Sequence, residues 1–132
     1  MNRIEKIFKQ GSVYAAYLTA GDGRLTEQLA QIRALIAGGV NLLEIGVPFS
    51  DPIADGTVIQ RAMQRSLAAH TSIEDALELI RMIRMISEIP IILFTYYNPL
   101  LARAKDNILA AAQQAGVDGI LVIDLPYFEA HD

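Results

Sequence analysis

Apolar residues along this chain follow two patterns, short continuous runs and helical repeats. Four runs of seven to nine residues are apolar or aromatic and are bounded by glycine, proline or polar residues; they span residues 13–20, 40–46, 89–97 and 117–125. Such runs are typical of strands that are buried on both faces of a sheet. Between them, apolar residues recur three and four positions apart, as over residues 25–36, which predicts amphipathic helices.

These elements follow one another in the order β-α-β-α-β-α-β, after a short amphipathic helix at residues 2–9. Apolar strands separated by helices pair in parallel through right-handed crossovers. A weak internal repeat supports the order, because "GGVNLLEIGVPF" (38–49) resembles "AGVDGILVIDLPYF" (115–128). Repeated βα units build both doubly wound sheets and (β/α)₈ barrels. No strand is followed by G-x-G-x-x-G or a P-loop, which argues against dinucleotide and P-loop proteins.

Local signals mark two of the helices. The segment "TSIE" (71–74) predicts a capping box, in which Thr71 caps the helix and Glu74 reaches back to the backbone. A further helix is predicted over residues 106–115, before the fourth strand.

Composition narrows the class of protein. The chain has 132 residues, which is enough for one domain, and 52% of them are apolar. Its net charge of −4 argues against binding to nucleic acid or to anionic membranes. The absence of cysteine excludes disulfides and thiolate zinc sites and fits the reducing cytoplasm. No apolar run reaches the length of a membrane span, and "MNRIEKIFKQ" does not resemble a secretory signal.

The stretch "LLEIGVPFSDPIADG" (42–56) carries three acids, Glu44, Asp51 and Asp55, and no cation lies between Arg33 and Arg61. An unpaired carboxylate in an apolar run costs several kcal/mol when it is buried. Structure alone rarely requires that cost, whereas catalysis can. Alternation along a strand can point Glu44 into the mouth of a barrel, and a loop can bring Asp55 over a bound molecule.

Other interpretations of the polar residues stay open at this point. Glu44 could pair with an arginine from another element, and Asp51 could cap the loop or contact a partner. The three acids together could hold Mg²⁺. Asp124 could be a further acid of the site or part of a turn. We expect His70 and His131 to be solvated, so no Ser-His-Asp arrangement is predicted.

The stretch "EIGVPFSDPIADG" (44–56) closely resembles the tryptophan synthase alpha subunit family. The family has a glutamate on its second strand, followed by a G-x-P-F-S-D-P-x-A-D-G loop. The resemblance continues in "YLTAGD" (17–22), "IPIILFTYYNPLL" (89–101) and "GVDGILVIDLP" (116–126). It covers residues 1–132 as a single domain but only the N-terminal half of the family's fold. The implied fold is an α/β (β/α)₈ TIM barrel, of which this chain supplies the first four βα units, a half-barrel.

The resemblance implies a lyase of tryptophan biosynthesis. The reaction is the retro-aldol cleavage of indole-3-glycerol phosphate to indole and glyceraldehyde 3-phosphate. It needs a proton delivered to indole C3, a proton taken from the glycerol hydroxyl, and stabilisation of charge on the indole nitrogen. Glu44 matches the family's general acid–base, and Asp55 matches the carboxylate that accepts a hydrogen bond from the indole N–H.

The resemblance also implies the substrate-binding residues. Tyr17 and Phe94 form the walls of an indole pocket, Thr19 positions the loop of Asp55, and Tyr96 lies close to the site. From the residues alone, aromatic side chains at strand ends are equally consistent with ordinary core packing. The resemblance implies no metal ion and no cofactor in this subunit, with pyridoxal phosphate only in the beta subunit that receives the indole.

The implied assembly is an alpha₂beta₂ heterotetramer in the cytoplasm. The family grips the substrate phosphate with later loops that this chain does not contain. We therefore expect the 132-residue chain to be inactive alone. Two alternatives from other classes remain: a regulatory module that binds the beta subunit without chemistry, and a non-catalytic half-barrel that self-associates.

Overall fold

The structure, a computed structural model, describes residues 1–130 and consists of strands and helices in alternation. Within these residues the strands are β1 (Ala15–Thr19), β2 (Leu42–Gly46), β3 (Ile91–Thr95) and β4 (Gly119–Val122). The α-helices are α1 (Arg3–Gln10), α2 (Leu25–Ala37), α3 (Thr57–Ala68), α4 (Ile73–Arg84), α5 (Tyr97–Leu101) and α6 (Ile108–Ala115). Short 3₁₀ turns lie at Ala104–Asp106 and Tyr127–Glu129.

The four strands form one sheet in the order β1-β2-β3-β4, and every neighbouring pair is parallel. Helices connect successive strands, as the apolar runs and helical repeats predict. A parallel sheet in sequential strand order, with helices between its strands, is the arrangement expected of half a (β/α)₈ barrel.

The hydrophobic core lies between the sheet and the helices that cover one of its faces. Alternate strand residues such as Leu43, Ile45 and Leu93 are completely buried and belong to the same cluster as Ile32 of α2 and Ile80 of α4. Successive strand residues point to opposite faces. The residues between these core positions therefore face the other side, which would be the interior of a complete barrel.

All four strands are shorter than the predicted runs, and three of the boundaries that differ from the prediction are set by local contacts or turns. The third strand ends at Thr95 rather than 97, because Tyr97 begins α5 and its backbone N–H donates to the Asp124 carboxylate at 2.7 Å. The capping box lies one residue further on: the Ser72 hydroxyl accepts the N–H of Asp75, whose carboxylate accepts the N–H of Ser72. The predicted helix 106–115 begins at residue 108, after the 3₁₀ turn.

The amino-terminal end of the sheet is closed by α1 and a network of ion pairs. Asp118, just before β4, is 5% exposed and accepts hydrogen bonds from Arg3, from Arg84 at 2.6 Å and from the backbone N–H of Ile91. The Arg84 guanidinium also donates to the carbonyl oxygen of Gly116, which ends α6 with a φ of 94°. These contacts join α1, α4, α6 and two strands at one point.

None of the helices within residues 1–130 is both long enough and apolar enough to cross a membrane.

Candidate active site

The face of the sheet that points away from the helices carries two rows of residues, set by the register of the strands. The rows are Tyr17, Glu44, Ile92 and Gly119, and Thr19, Gly46, Phe94 and Leu121. The second row lies nearer the carboxyl-terminal ends of the strands, where the active sites of (β/α)₈ barrels lie. Five of the six residues predicted from the sequence therefore belong to this region or to the loop above it, and Tyr96 directly follows β3.

Tyr17 and Phe94 contact each other across β2. Their ring centroids are 5.3 Å apart and the rings meet edge to face at 78°. The contact depends on Gly46 between them, because a Cβ atom at that position would overlap the Tyr17 ring and hydroxyl. The two aromatic residues that are predicted as walls therefore contact each other in the structure, and Gly46, the first glycine of the loop motif, makes room for that contact.

The half-buried Glu44 has a carboxylate without a hydrogen bond or ion pair to any residue of the described chain. No arginine of residues 1–130 pairs with Glu44, so the alternative of a structural ion pair is not observed there. Its neighbours in the row are Tyr17 and Ile92. Within residues 1–130, no protein group occupies the Glu44 carboxylate.

Asp55 lies in the loop between β2 and α3 and is held by Tyr96. The Tyr96 hydroxyl donates to Asp55 Oδ2 at 2.7 Å and accepts the backbone N–H of Ala54 at 3.0 Å. The Tyr96 ring is completely buried. Its centroid lies 5.1 Å from the ring centroid of Phe49, which belongs to the same loop as Asp55. Burial, and next the hydrogen bond to Asp55, raise the pKa of Tyr96 to about 12, so this hydroxyl stays a donor.

Tyr17 links the two acids electrostatically. Burial is the main cause that raises the pKa of the Tyr17 hydroxyl, and the charges of Asp55 and Glu44 raise it further. Both carboxylates therefore act on the same hydroxyl, although they belong to different elements. A molecule bound against Tyr17 would be within the field of both acids.

The Thr19 hydroxyl is placed differently from the sequence prediction. It lies 3.1 Å from the Tyr17 hydroxyl, and its backbone carbonyl accepts a hydrogen bond from buried Gln28 at 2.8 Å. Within the described residues it makes no hydrogen bond to the loop of Asp55. Tyr96, which directly follows β3, holds that loop instead. The Thr19 side chain contacts the Tyr17 hydroxyl rather than the acid.

Several other polar residues are not gathered into the site. The exposed Asp51 carboxylate accepts a hydrogen bond from Ser50 at 2.8 Å, and Asp124 caps α5. Nowhere in residues 1–130 do three His, Cys, Asp or Glu side chains form a group that could hold a metal ion. His70 is exposed with a φ of 59°, and His131 lies outside the described residues.

The fold and the site together define a class of protein. A parallel βα sheet with two carboxylates and an aromatic pair toward the carboxyl-terminal ends of its strands has the arrangement in which (β/α)₈ barrels carry their active sites.

Comparison with known proteins identifies the family. The sequence pattern of the tryptophan synthase alpha chain family matches residues 5–132. The tryptophan synthase alpha chain of Coxiella burnetii is 61% identical over 130 residues, which are 98% of this chain and 50% of that one. The tryptophan synthase alpha chain of Opitutus terrae is 45% identical, and the alignment covers 100% of this chain and 52% of that one. This chain belongs to the tryptophan synthase alpha chain family.

Solved structures agree. The alpha subunit from Legionella pneumophila superposes with a TM-score of 0.92 at 39% identity, covering 99% of this chain and 52% of the other. A chain from the Pyrococcus furiosus tryptophan synthase a2b2 complex superposes with a TM-score of 0.84 at 43% identity, covering 90% and 48%. The chain thus spans about half the length of the relatives that it matches.

Proposed function

We propose that this chain carries the catalytic acids of an alpha-type tryptophan synthase, a lyase that cleaves indole-3-glycerol phosphate to indole and glyceraldehyde 3-phosphate. One observation carries the proposal: Glu44 has no partner in the described residues, and it lies on the open face beside the Tyr17–Phe94 pair. A carboxylate that served only stability would be paired. A carboxylate that shuttles protons has to be accessible to its substrate.

In the proposed reaction, Glu44 exchanges protons with the substrate. Addition of a proton to indole C3 and loss of one from the ring nitrogen prepare the bond between C3 and the glycerol chain for cleavage. Removal of the proton from the glycerol hydroxyl then forms the aldehyde as that bond breaks. The bonding electrons return to the ring, and the nitrogen regains its proton, so protons balance over the whole step.

Asp55 is the proposed partner of the indole N–H. Tyr96 occupies Oδ2 of this carboxylate, whereas Oδ1 has no hydrogen bond within the described residues. The free oxygen can therefore accept the indole N–H while Tyr96 keeps the carboxylate oriented. A buried tyrosine with a pKa of about 12 suits this positioning role, since it donates a hydrogen bond without competing for the proton.

Tyr17 and Phe94 are the proposed walls for the indole ring. Aromatic rings favour edge-to-face and offset contacts, and the two side chains already form such a contact with each other. The Thr19 hydroxyl holds the Tyr17 ring in this orientation. Thr19 is thus proposed to bind substrate indirectly, through the wall that it fixes.

The rest of the proposal follows from the family. The phosphate of the substrate would be bound by loops in the half of the barrel that this chain does not span, so the 132-residue chain alone would be inactive. Indole would pass to a beta subunit in an alpha₂beta₂ assembly, as the Pyrococcus furiosus a2b2 complex suggests. The pyridoxal phosphate belongs to that partner, and none of the alpha chemistry needs a cofactor. We place the protein in the cytoplasm.

The proposal is tested in a chimera that joins residues 1–132 to the second half of the Coxiella burnetii relative. The chimera should release indole from indole-3-glycerol phosphate, and Glu44→Gln should lower the rate about 10²- to 10⁴-fold, the usual contribution of a general acid–base. Glu78→Gln is the matched control, because Glu78 is exposed on α4 and pairs with Arg81.

Two outcomes would count against the lyase. A Glu44→Gln chimera as active as the parent would remove Glu44 from the chemistry. A folded chimera that releases no indole yet activates a beta subunit would favour the regulatory module.

A further inference from the structure

The loop between β1 and α2, residues 20–24, lies against the carboxyl-terminal half of α3. The Arg65 guanidinium on α3 donates two hydrogen bonds to the Asp22 carboxylate, from Nε at 2.6 Å and from Nη2 at 2.9 Å. The hydroxyl of the next residue, Ser66, donates to the carbonyl oxygen of Ala20. Two adjacent side chains of α3 therefore bond to the same loop, and the candidate site described above uses neither of them.

The same loop is fixed to β1 and α2 on its other side. The buried Gln28 of α2 accepts the N–H of Gly21 at 2.9 Å and donates to the carbonyl oxygen of Thr19 at 2.8 Å. The N–H of Ala20 donates to the last carbonyl oxygen of β2, so the pairing of the two strands continues into the loop. A group bonded to this loop is therefore held at a defined position relative to β1, the strand that carries Tyr17.

The other end of α3 carries Asp55. This acid directly precedes Gly56, the residue that caps the amino-terminal end of α3. The side-chain amide of Gln60, in the first turn of α3, donates to the backbone carbonyl oxygen of Asp55 at 2.9 Å. Gln60 thus holds the backbone of the acid, whereas Tyr96 holds its carboxylate. A change in the position or tilt of α3 would therefore move Asp55.

Polar contacts specify how α3 lies on the rest of the described chain. Among residues 1–130, α3 contributes no side chain to the hydrophobic cluster that joins the sheet to α2 and α4. Its buried residues there are Met63 and the polar Ser66. A buried hydroxyl is costly unless it is bonded, so the bond from Ser66 to Ala20 selects one position of this helix on the loop.

The pair of Asp22 and Arg65 contributes orientation more than stability. The side chains of Arg65 and Asp22 are 61% and 26% exposed, and ion pairs this accessible to water add little to the free energy of unfolding. A guanidinium that bonds a carboxylate through two N–H groups fixes the angle of approach as well as the distance. The pair therefore sets the tilt of α3 on the loop.

We propose that Asp22 and Arg65 are positioning residues, which orient α3 on the loop after β1 and thereby set Asp55 at the correct distance from Tyr17. This role rests on the proposed lyase function, in which the indole ring lies against Tyr17 while its N–H bonds to Asp55. Because β1 supplies the wall and α3 places the acid, the contact between the loop and α3 decides whether both reach one ring. Neither Asp22 nor Arg65 has to contact the substrate for this role.

The first test compares variants of the chimera described above. Arg65→Met removes both hydrogen bonds but keeps the apolar stem of the side chain. We expect kcat for indole release to fall about 10-fold, because a small displacement of a catalytic group costs up to about 10²-fold, while KM stays within about 2-fold. Arg65→Lys keeps the charge but not the paired bonds and should recover only part of kcat. Arg61→Met is the matched control, since Arg61 is exposed on α3 and has no hydrogen bond or ion pair within residues 1–130.

Hydrogen exchange tests the same role without relying on activity. The N–H of Ala54 bonds to the Tyr96 hydroxyl, in the loop that precedes α3, so its exchange reports how firmly that loop is held. Arg65→Met should speed this exchange about 10-fold, whereas Arg61→Met should leave it unchanged. The N–H of Ile91, which is bonded at the opposite end of the sheet, should exchange at the parent rate in both variants.

Two results would overturn the proposal. An active chimera whose kcat and Ala54 exchange are unchanged by Arg65→Met would leave the lyase standing and make the pair an ordinary surface contact. Faster exchange at Ala54 and Ile91 alike would show that the substitution loosens the whole fold rather than α3. A parent chimera that releases no indole would reject the lyase instead, and faster exchange at Ala54 alone would then still support the hold of the pair on the Asp55 loop.

Discussion

Asp118 and Glu44 are acids of the same sheet with very different surroundings. Asp118, at the amino-terminal end of β4, is 5% exposed and accepts hydrogen bonds from two arginines and a backbone N–H. Glu44, on β2, faces the open side and has no such partner within residues 1–130. One carboxylate is fully satisfied by the protein, and the other, in the proposed function, is left for the substrate.

The difference follows the polarity of the barrel. The loops at the amino-terminal end of the strands contribute to stability and not to catalysis in such barrels. Charges there are therefore paired, and the pairs join helices to strands. Loops at the carboxyl-terminal end can position reactive groups, and there the structure leaves the Glu44 carboxylate unpaired and orients Asp55 through Tyr96. Substitutions at the two ends should therefore change different properties.

The largest effect on stability is expected from Asp118→Ala. The substitution leaves Arg84, whose side chain is 12% exposed, without its carboxylate and removes the acceptor for Ile91. Loss of one partner of a buried ion pair costs about 3–5 kcal/mol, and we expect the low end because Arg84 keeps its carbonyl contacts. Urea unfolding at a fixed protein concentration measures the free energy of unfolding.

The control is Glu88→Ala in the same network. Glu88 pairs with Arg3 but is 78% exposed, so its loss should cost less than about 1 kcal/mol. Equal losses for the two variants would show that the ion pairs at this end are not a buried anchor.

The sequence predicts this contrast only in part. The strands and Glu44 are recognisable because buried parallel strands are continuous apolar runs and a lone acid interrupts one of them. The partner of Asp55 cannot be recognised in the sequence, because Tyr96 reaches Ala54 and Asp55 only through the pairing of β3 with β2. The end of β3 was predicted too late for a similar reason. Tyr97 has strong strand propensity, but its N–H is capped by Asp124, 27 positions later.

A smaller effect is expected at the carboxyl-terminal end, from Tyr96 at alkaline pH. Its pKa is raised from 10 in an unfolded chain to about 12 by burial and by the bond to Asp55. The folded protein therefore favours the neutral phenol. This contribution to stability is complete below pH 10 and is lost as pH rises from 10 to 12. A pKa difference of two units between the folded and unfolded states corresponds to about 2–3 kcal/mol of the free energy of unfolding.

Tyr96→Phe should accordingly flatten the decline of the free energy of unfolding between pH 10 and 12. Tyr97→Phe is the control, since Tyr97 is 39% exposed and should leave the decline unchanged. If parent and Tyr96→Phe lose stability in parallel over this range, the Tyr96 hydroxyl is not a buried link to the Asp55 loop.

The smallest effect has the opposite sign. Glu44→Met replaces a half-buried carboxylate that lacks a partner within residues 1–130 by an apolar side chain of similar length. Because residues kept for function are often not the most stable choice, the free energy of unfolding should rise by about 0.5–1 kcal/mol, while the chimera with this substitution should release no indole. Glu78→Met on exposed α4 should change stability by less than about 0.5 kcal/mol. If Glu44→Met lowered the free energy of unfolding as much as Asp118→Ala does, Glu44 would stabilise the fold as Asp118 does. The contrast between the two ends of the sheet would then be wrong.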